Sequence, residues 1–93
     1  MIKTFRDLVT EGIWRGVISR YIPKEVQVIA RRKLRMLNNA NNLLDLKIPP
    51  SNRLEKLRGD RKDQYSIRIN NRWRICFNWE NNDCYDVEII DYH

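Results

Sequence analysis

Between Gln64 and Ile89 apolar side chains return at every second position, and this constrains the fold more than anything else in the chain. Tyr65, Ile67 and Ile69 alternate with Ser66 and Arg68; Trp73, Ile75, Phe77 and Trp79 alternate with Arg72, Arg74, Cys76 and Asn78. Tyr85, Val87 and Ile89 continue the pattern to the C-terminus. A two-residue period places one set of side chains on each face of a strand. Asn70-Asn71 and Asn81-Asn82-Asp83 break the alternation with residues that suit tight turns. Three strands joined by such short turns can pair only as an antiparallel meander. One face packs on other elements and the other is left for polar function.

The first half has a different period. Ile2 to Phe5 reads as a short first strand. Arg6 to Trp14 carries a weak helical pattern, with Leu8, Val9 and Ile13 as the buried positions and Gly12 and Gly16 punctuating its end. Pro23 opens the clearest helix, because proline at a first helical position gives up an N–H that has no partner there. Val26, Ile29, Ala30, Leu34 and Leu37 then recur at three- and four-residue spacing, while Arg31, Arg32 and Arg35 fall on the other face. Asn38, Asn39, Asn41 and Asn42 suit caps and turns. Leu43, Leu44 and Leu46 form one further turn, which Pro49-Pro50 ends. The expected architecture is α+β: two N-terminal helices packed on a twisted, mostly antiparallel sheet, in the order β-α-α-β-β-β with room for one more strand. At 93 residues the chain makes one domain, residues 1–93.

Composition enters where partners are concerned. With 42% hydrophobic residues the chain is too apolar to be disordered. Its 18 Lys and Arg against 12 Asp and Glu leave a net charge of +6, which favours a polyanionic partner such as RNA, DNA, an anionic membrane or an acidic protein. Cys76 and Cys84 are too few for a disulfide framework. A single histidine and no ligand spacing around the cysteines argue against zinc, and no cofactor motif is present. The N-terminal segment has no apolar stretch of the signal-peptide kind, and no run reaches membrane-spanning length. The expected setting is the cytoplasm, with both thiols reduced and no membrane association.

The basic residues gather between Arg53 and Arg74. Arg53, Lys56, Arg58, Arg61, Lys62, Arg68, Arg72 and Arg74 are opposed there only by Glu55, Asp60 and Asp63. In the meander Arg68 and Arg74 share the side away from the apolar face. Convergent guanidiniums suit a phosphate backbone, which their planar fork binds bidentately; a plain solvated sheet face would show the same residues. The chain closes on Asp91-Tyr92-His93, which offers a phenol and a side chain that titrates near neutral pH. Metal-free RNA cleavage needs a group to take the 2′-OH proton, a cation for the phosphorane and an acid for the leaving 5′-oxygen. Tyr92 and His93 suit the acid and base roles, in either assignment, and Arg58 and Arg74 the electrostatic one. A frayed chain end is the alternative reading of His93.

Four stretches together resemble a known family. They are Asn52-Arg53-Leu54-Glu55-Lys56-Leu57-Arg58-Gly59-Asp60-Arg61, Gln64-Tyr65-Ser66-Ile67-Arg68-Ile69-Asn70, Trp73-Arg74-Ile75-Cys76-Phe77 and Val87-Glu88-Ile89-Ile90-Asp91-Tyr92-His93. They look like the HigB toxins of the RelE/ParE superfamily, also called plasmid-maintenance killer proteins; the Ile2-Lys3-Thr4-Phe5 start and the Ala30–Leu34 segment also fit. The resemblance implies a ribosome-dependent endoribonuclease that cuts mRNA in the ribosomal A site by 2′-OH attack, with no metal or cofactor. It implies a HigA-type antitoxin as partner, with operator DNA bound only through the toxin–antitoxin complex. Carried over by position, the family's catalytic residues fall on Arg58, Arg74, Asp91, Tyr92 and His93. Arg53, Lys56, Arg61, Lys62, Arg68 and Arg72 are left as RNA-binding residues.

Two positions depart from the family pattern. Arg58 stands where lysine is common, and a guanidinium neither donates nor takes a proton in catalysis. Glu55 stands where some relatives place a histidine; it could accept a proton in that residue's stead or pair on the surface with Lys56 or Arg53, and the surface pair is the expectation. Two other functions compete: a non-enzymatic inhibitor of DNA gyrase in the manner of the ParE branch, and a module that only binds operator DNA with its antitoxin.

Overall fold

The structure is a computed structural model that describes residues 1–92. Helix α1 (Leu8–Trp14) begins where Asp7 caps it, the Thr10 N–H donating to Asp7 Oδ1 over 2.7 Å. Helix α2 (Lys24–Asn39) follows Pro23, which sits at the cap itself rather than in the first turn. A 3-10 turn over Leu43–Lys47 is closed by a reciprocal cap between Asn42 and Asp45, and Pro50–Asn52 makes a second. Four strands complete the chain: β1 (Glu55–Lys56), β2 (Gln64–Arg68), β3 (Trp73–Glu80) and β4 (Asp83–Asp91), with a 3-10 turn at Gly59–Arg61 between the first two. They pair antiparallel in chain order, β1-β2-β3-β4.

The core lies between α2 and one face of this sheet. Val26, Ala30, Leu34 and Leu37 of α2 are buried in one cluster with Ile13 of α1 and with Ile67, Ile75, Phe77, Val87 and Ile89 of the sheet. The α+β reading and the meander hold, and so do both turns. Asn70 Oδ1 accepts from the Arg72 and Trp73 amides at 2.9 and 2.8 Å. Asn81 and Asn82 form the β3–β4 loop with φ of 51° and 64°, the left-handed pair that a type I′ hairpin turn requires.

Three expectations are corrected. Ile2–Phe5 does not make a strand; it touches β4 at two isolated parallel bridges, Ile2 to Cys84 and Phe5 to Val87. Between those points Asp86 is left-handed at φ 52°, and its amide turns to Thr4 Oγ1 instead of continuing a ladder. The same residue is a bulge. Cys76 pairs with Glu88 and Asn78 with Tyr85, so β4 carries one residue more than β3 across this stretch. Alternation therefore slips by one, and Cys84 rather than Tyr85 joins the core. Leu8, expected inside, is exposed.

α2 also buries a charge that periodicity did not reveal. Lys33 lies inside and donates to Asn52 Oδ1, while the Asn52 side-chain amide donates to the carbonyls of Leu46 and Ile48 at 3.1 and 3.3 Å. Burial, then the charges of Arg32 and Arg68, lower the lysine's pKa. This knot fixes the segment entering Arg53.

Candidate nucleic-acid cleft and active site

Arg68 and Arg74 face each other directly across the β2–β3 pair. Opposed like charges are unfavourable on a sheet, and the two residues meet that cost differently. Arg68 donates to Asn71 Oδ1 at the rim. Arg74 is drawn down to 7% exposure. Its Nε donates to Ser66 Oγ at 2.8 Å and its Nη2 to the Arg53 carbonyl at 2.7 Å. Ser66 lies two residues before Arg68 on β2 and is itself fully buried. Arg53 holds a left-handed conformation, φ 45°, as the chain leaves the Pro50–Asn52 turn. A buried guanidinium held by two fixed acceptors keeps one orientation.

A cleft of about 290 Å³ opens over Arg74. Arg53, Glu55, Arg68, Asn70, Asn71 and Tyr92 line it with Arg74. The Tyr92 ring is half-exposed at its mouth, its centroid 5.6 Å from the Arg74 guanidinium carbon. Glu55 Oε1 is 3.6 Å from Arg74 Nη2. Glu55 thus pairs with the central cation of the cleft, which corrects the expected pairing with Lys56 or Arg53. β1 places it there, because Glu55 stands opposite Ser66, on the same face as Arg74.

The other anticipated residues distribute as follows. Asp91 is clamped by Arg72, with Nη2 to Oδ2 at 2.8 Å and Nε to the two carboxylate oxygens at 3.0 and 2.9 Å. The pair sits where β4 ends, and neither residue lines the Arg74 cleft. Arg61 turns away, to Glu88 Oε1 at 3.1 Å and Gln64 Oε1 at 2.9 Å, and lines a separate cleft of mixed charge with Arg6, Asp60 and Asp63. Arg58 and Lys62 are exposed at the two ends of the Gly59–Arg61 turn, and Arg58 does not line the Arg74 cleft. Lys56 leaves β1 on the face opposite Glu55. His93 lies outside the described residues. Ser66, Asn70 and Asn71 were not anticipated as site residues, the asparagines having been read only as a turn. Ser66 had one signal: it occupies the strand position next but one to Arg68, on the face that carries the arginines.

Among the described residues no three His, Cys, Asp or Glu side chains gather as metal ligands, and no helix is long and apolar enough to cross a membrane. Burial pushes the Cys76 and Cys84 thiols up to about 11 and about 12, and both cysteines are free and inside.

Residues 3–93 match a family described as RelE-like toxin of type II toxin-antitoxin system HigB. The chain belongs to the HigB-like toxins. Among curated relatives it is 43% identical to Toxin HigB-1 of Vibrio cholerae serotype O1 over 60 residues, 64% of this chain and 63% of that protein. It is 27% identical to the Endoribonuclease HigB of Proteus vulgaris over 93 residues, the full length of both. An uncharacterized protein of Haemophilus influenzae is 39% identical over 62 residues, 67% of this chain and 61% of that protein. The matches to the Vibrio and Haemophilus proteins thus span under two thirds of either one. As a HigB-like toxin domain, the chain carries its arginine pair and terminal tyrosine inside the matched region.

Proposed function

We propose that this chain is the toxin of a type II toxin–antitoxin pair and acts as a ribosome-dependent endoribonuclease. It cuts mRNA in the ribosomal A site by 2′-OH attack and needs no metal or cofactor. The observation that carries the reading is the facing pair Arg68 and Arg74, one of them buried and fixed, beneath a cleft that ends at Tyr92. Two opposed guanidiniums are relieved when a phosphate sits between them. A buried, pre-oriented Arg74 stabilises the extra negative charge of the phosphorane without reorganising as it forms. The printed name of the full-length Proteus relative supports a nuclease, and the net charge of +6 supports a polyanionic substrate.

In this mechanism the 2′-oxygen attacks the adjacent phosphorus, the P–O5′ bond breaks, and the products carry a 2′,3′-cyclic phosphate and a 5′-OH. Tyr92 and His93 exchange the two protons, one leaving the 2′-OH and one reaching the 5′-oxygen. Arg68 and Arg53, which line the cleft, hold flanking phosphates, with Arg72 next to them; Lys56, Arg61 and Lys62, which lie off the cleft, add to the positive field that draws in the strand. Arg58 acts only through its charge. Glu55 yields its contact with Arg74 to the incoming phosphate. Asp91, held by Arg72, fixes the strand end that leads into Tyr92. The ribosome supplies the positioning that an open cleft of this size lacks. The antitoxin is of the HigA type and carries the toxin to operator DNA.

Primer extension on a translated mRNA tests this. Breaks within codons, present with the chain and lost with Arg74→Ala, are expected. Growth arrest that survives Arg74→Ala and leaves mRNA intact would replace the nuclease by a gyrase inhibitor. No arrest on expression of the chain alone would leave only an operator-binding role.

A further inference from the structure

The antitoxin needs a surface, and α1 and α2 present one. Leu8 on α1 is 84% exposed, Ile18 and Tyr21 in the α1–α2 connection 74% and 70%, and Val28 on α2 66%. Leu8, Val9, Val17, Ile18 and Tyr21 line a groove of about 450 Å³, and Ile18 continues beside Val28 into a second one. Scattered apolar residues on a surface are ordinary, whereas a contiguous set lining a groove marks an interaction site.

The exposure is not a by-product of a loose loop. Buried Gln27 holds the connection by its backbone, accepting from the Ser19 amide at 3.0 Å and donating to the Ser19 and Ile22 carbonyls at 2.6 and 2.5 Å. Ile22 is packed inside by the same fixing, while its neighbours Ile18 and Tyr21 are held outside.

The rim decides the kind of occupant. Arg20 lies over the Tyr21 ring at 5.6 Å, and Lys24 and Arg31 border the second groove. A second copy of this chain would bring the same cations onto them. RNA would meet an apolar floor with few donors. An amphipathic protein segment with apolar residues on one side and carboxylates along the other satisfies both floor and rim.

We propose that the groove between α1 and the α1–α2 connection, extended along α2 to Val28, is where the antitoxin docks through an acidic amphipathic segment. The identity of the partner rests on the toxin–antitoxin reading above. The test uses the full chain and the antitoxin encoded with it, with Leu8→Glu/Ile18→Glu and Arg74→Ala as variants. Both substituted side chains of the double variant are exposed, so its melting temperature should stay within a few degrees of the parent. The double variant should bind the antitoxin at least 100-fold more weakly, and co-expressed antitoxin should no longer relieve its growth arrest. Arg74→Ala should bind within about threefold of the parent. Binding of the double variant within threefold of the parent overturns the docking site. So does loss of RNA binding by the double variant, or a parent dimer that the double variant dissolves. Absence of growth arrest by the parent chain would count against the nuclease alone, because the binding comparison still reads the groove.

Discussion

Ser66→Ala separates a held arginine from a merely nearby one. The substitution removes one hydroxyl from a fully buried position and leaves the strand otherwise intact. It deletes the 2.8 Å acceptor of Arg74 Nε, while the Arg53 carbonyl keeps Nη2 at 2.7 Å. At 7% exposure Arg74 has little access to replacement water. A hydrogen bond to a charged group contributes about 1.5–3 kcal/mol, and an unpaired buried donor forfeits that amount. In a domain of this size each kcal/mol moves the melting temperature by roughly 4–8 °C, so a drop of about 6–24 °C is expected. Thermal unfolding followed by circular dichroism measures it. A double-mutant cycle with Arg74→Ala should return a coupling of about 1.5–3 kcal/mol. Cleavage should fall on the order of tenfold to a hundredfold through the turnover step, since a guanidinium free to swing loses its pre-set geometry. A melting temperature within about 1 °C of the parent, or strictly additive effects in the cycle, would refute the claim that Ser66 holds Arg74.

Other expectations follow from the same contacts. Asn52→Ala leaves Lys33 buried without its acceptor and two carbonyls without their donor; a loss of about 3 kcal/mol or more in urea unfolding is expected, and a loss below about 1 would contradict the buried knot. Asp86→Gly should be neutral or stabilising by up to about 1 kcal/mol and Asp86→Val destabilising by about 1–2, because only the former accepts φ 52° without strain; equal stabilities would remove the bulge. Cys76 is raised by burial from 9.0 to about 11, so its contribution is full below pH 9 and is lost as pH rises toward 11. The stability of Cys76→Ala should therefore decline less steeply than the parent's above pH 9, and parallel curves would show that the thiol is not buried.

Much of the fold was legible because β2 and β3 keep strict alternation and their turns are spelled in asparagine. β4 was misread over Cys84–Asp86 because the bulge residue is aspartate, which enters the left-handed region without the glycine that would announce it. Leu8 was placed inside because an apolar residue at helical spacing carries no mark of whether its face meets the core or a partner. Lys33 reads as one more cation in an arginine-rich helix, and its burial depends on Asn52, nineteen residues away. The cleft was legible at Arg68 and Arg74, whose strand parity puts them on one face, and Tyr92 was singled out for its phenol rather than for its place on that face. Glu55 and Ser66 were not, because their roles arise from β1 folding back onto β2.

The central claim is that a fixed Arg74 and the terminal Tyr92-His93 perform metal-free cleavage of mRNA on the ribosome. Mapping both ends of each break in a translating extract tests it most directly, with the parent chain beside Arg74→Ala and Tyr92→Phe/His93→Gln. The account predicts breaks within codons that carry a 2′,3′-cyclic phosphate and a 5′-OH, and their loss in both variants. Breaks bearing a 3′-OH, or breaks that persist undiminished in Arg74→Ala, would contradict it.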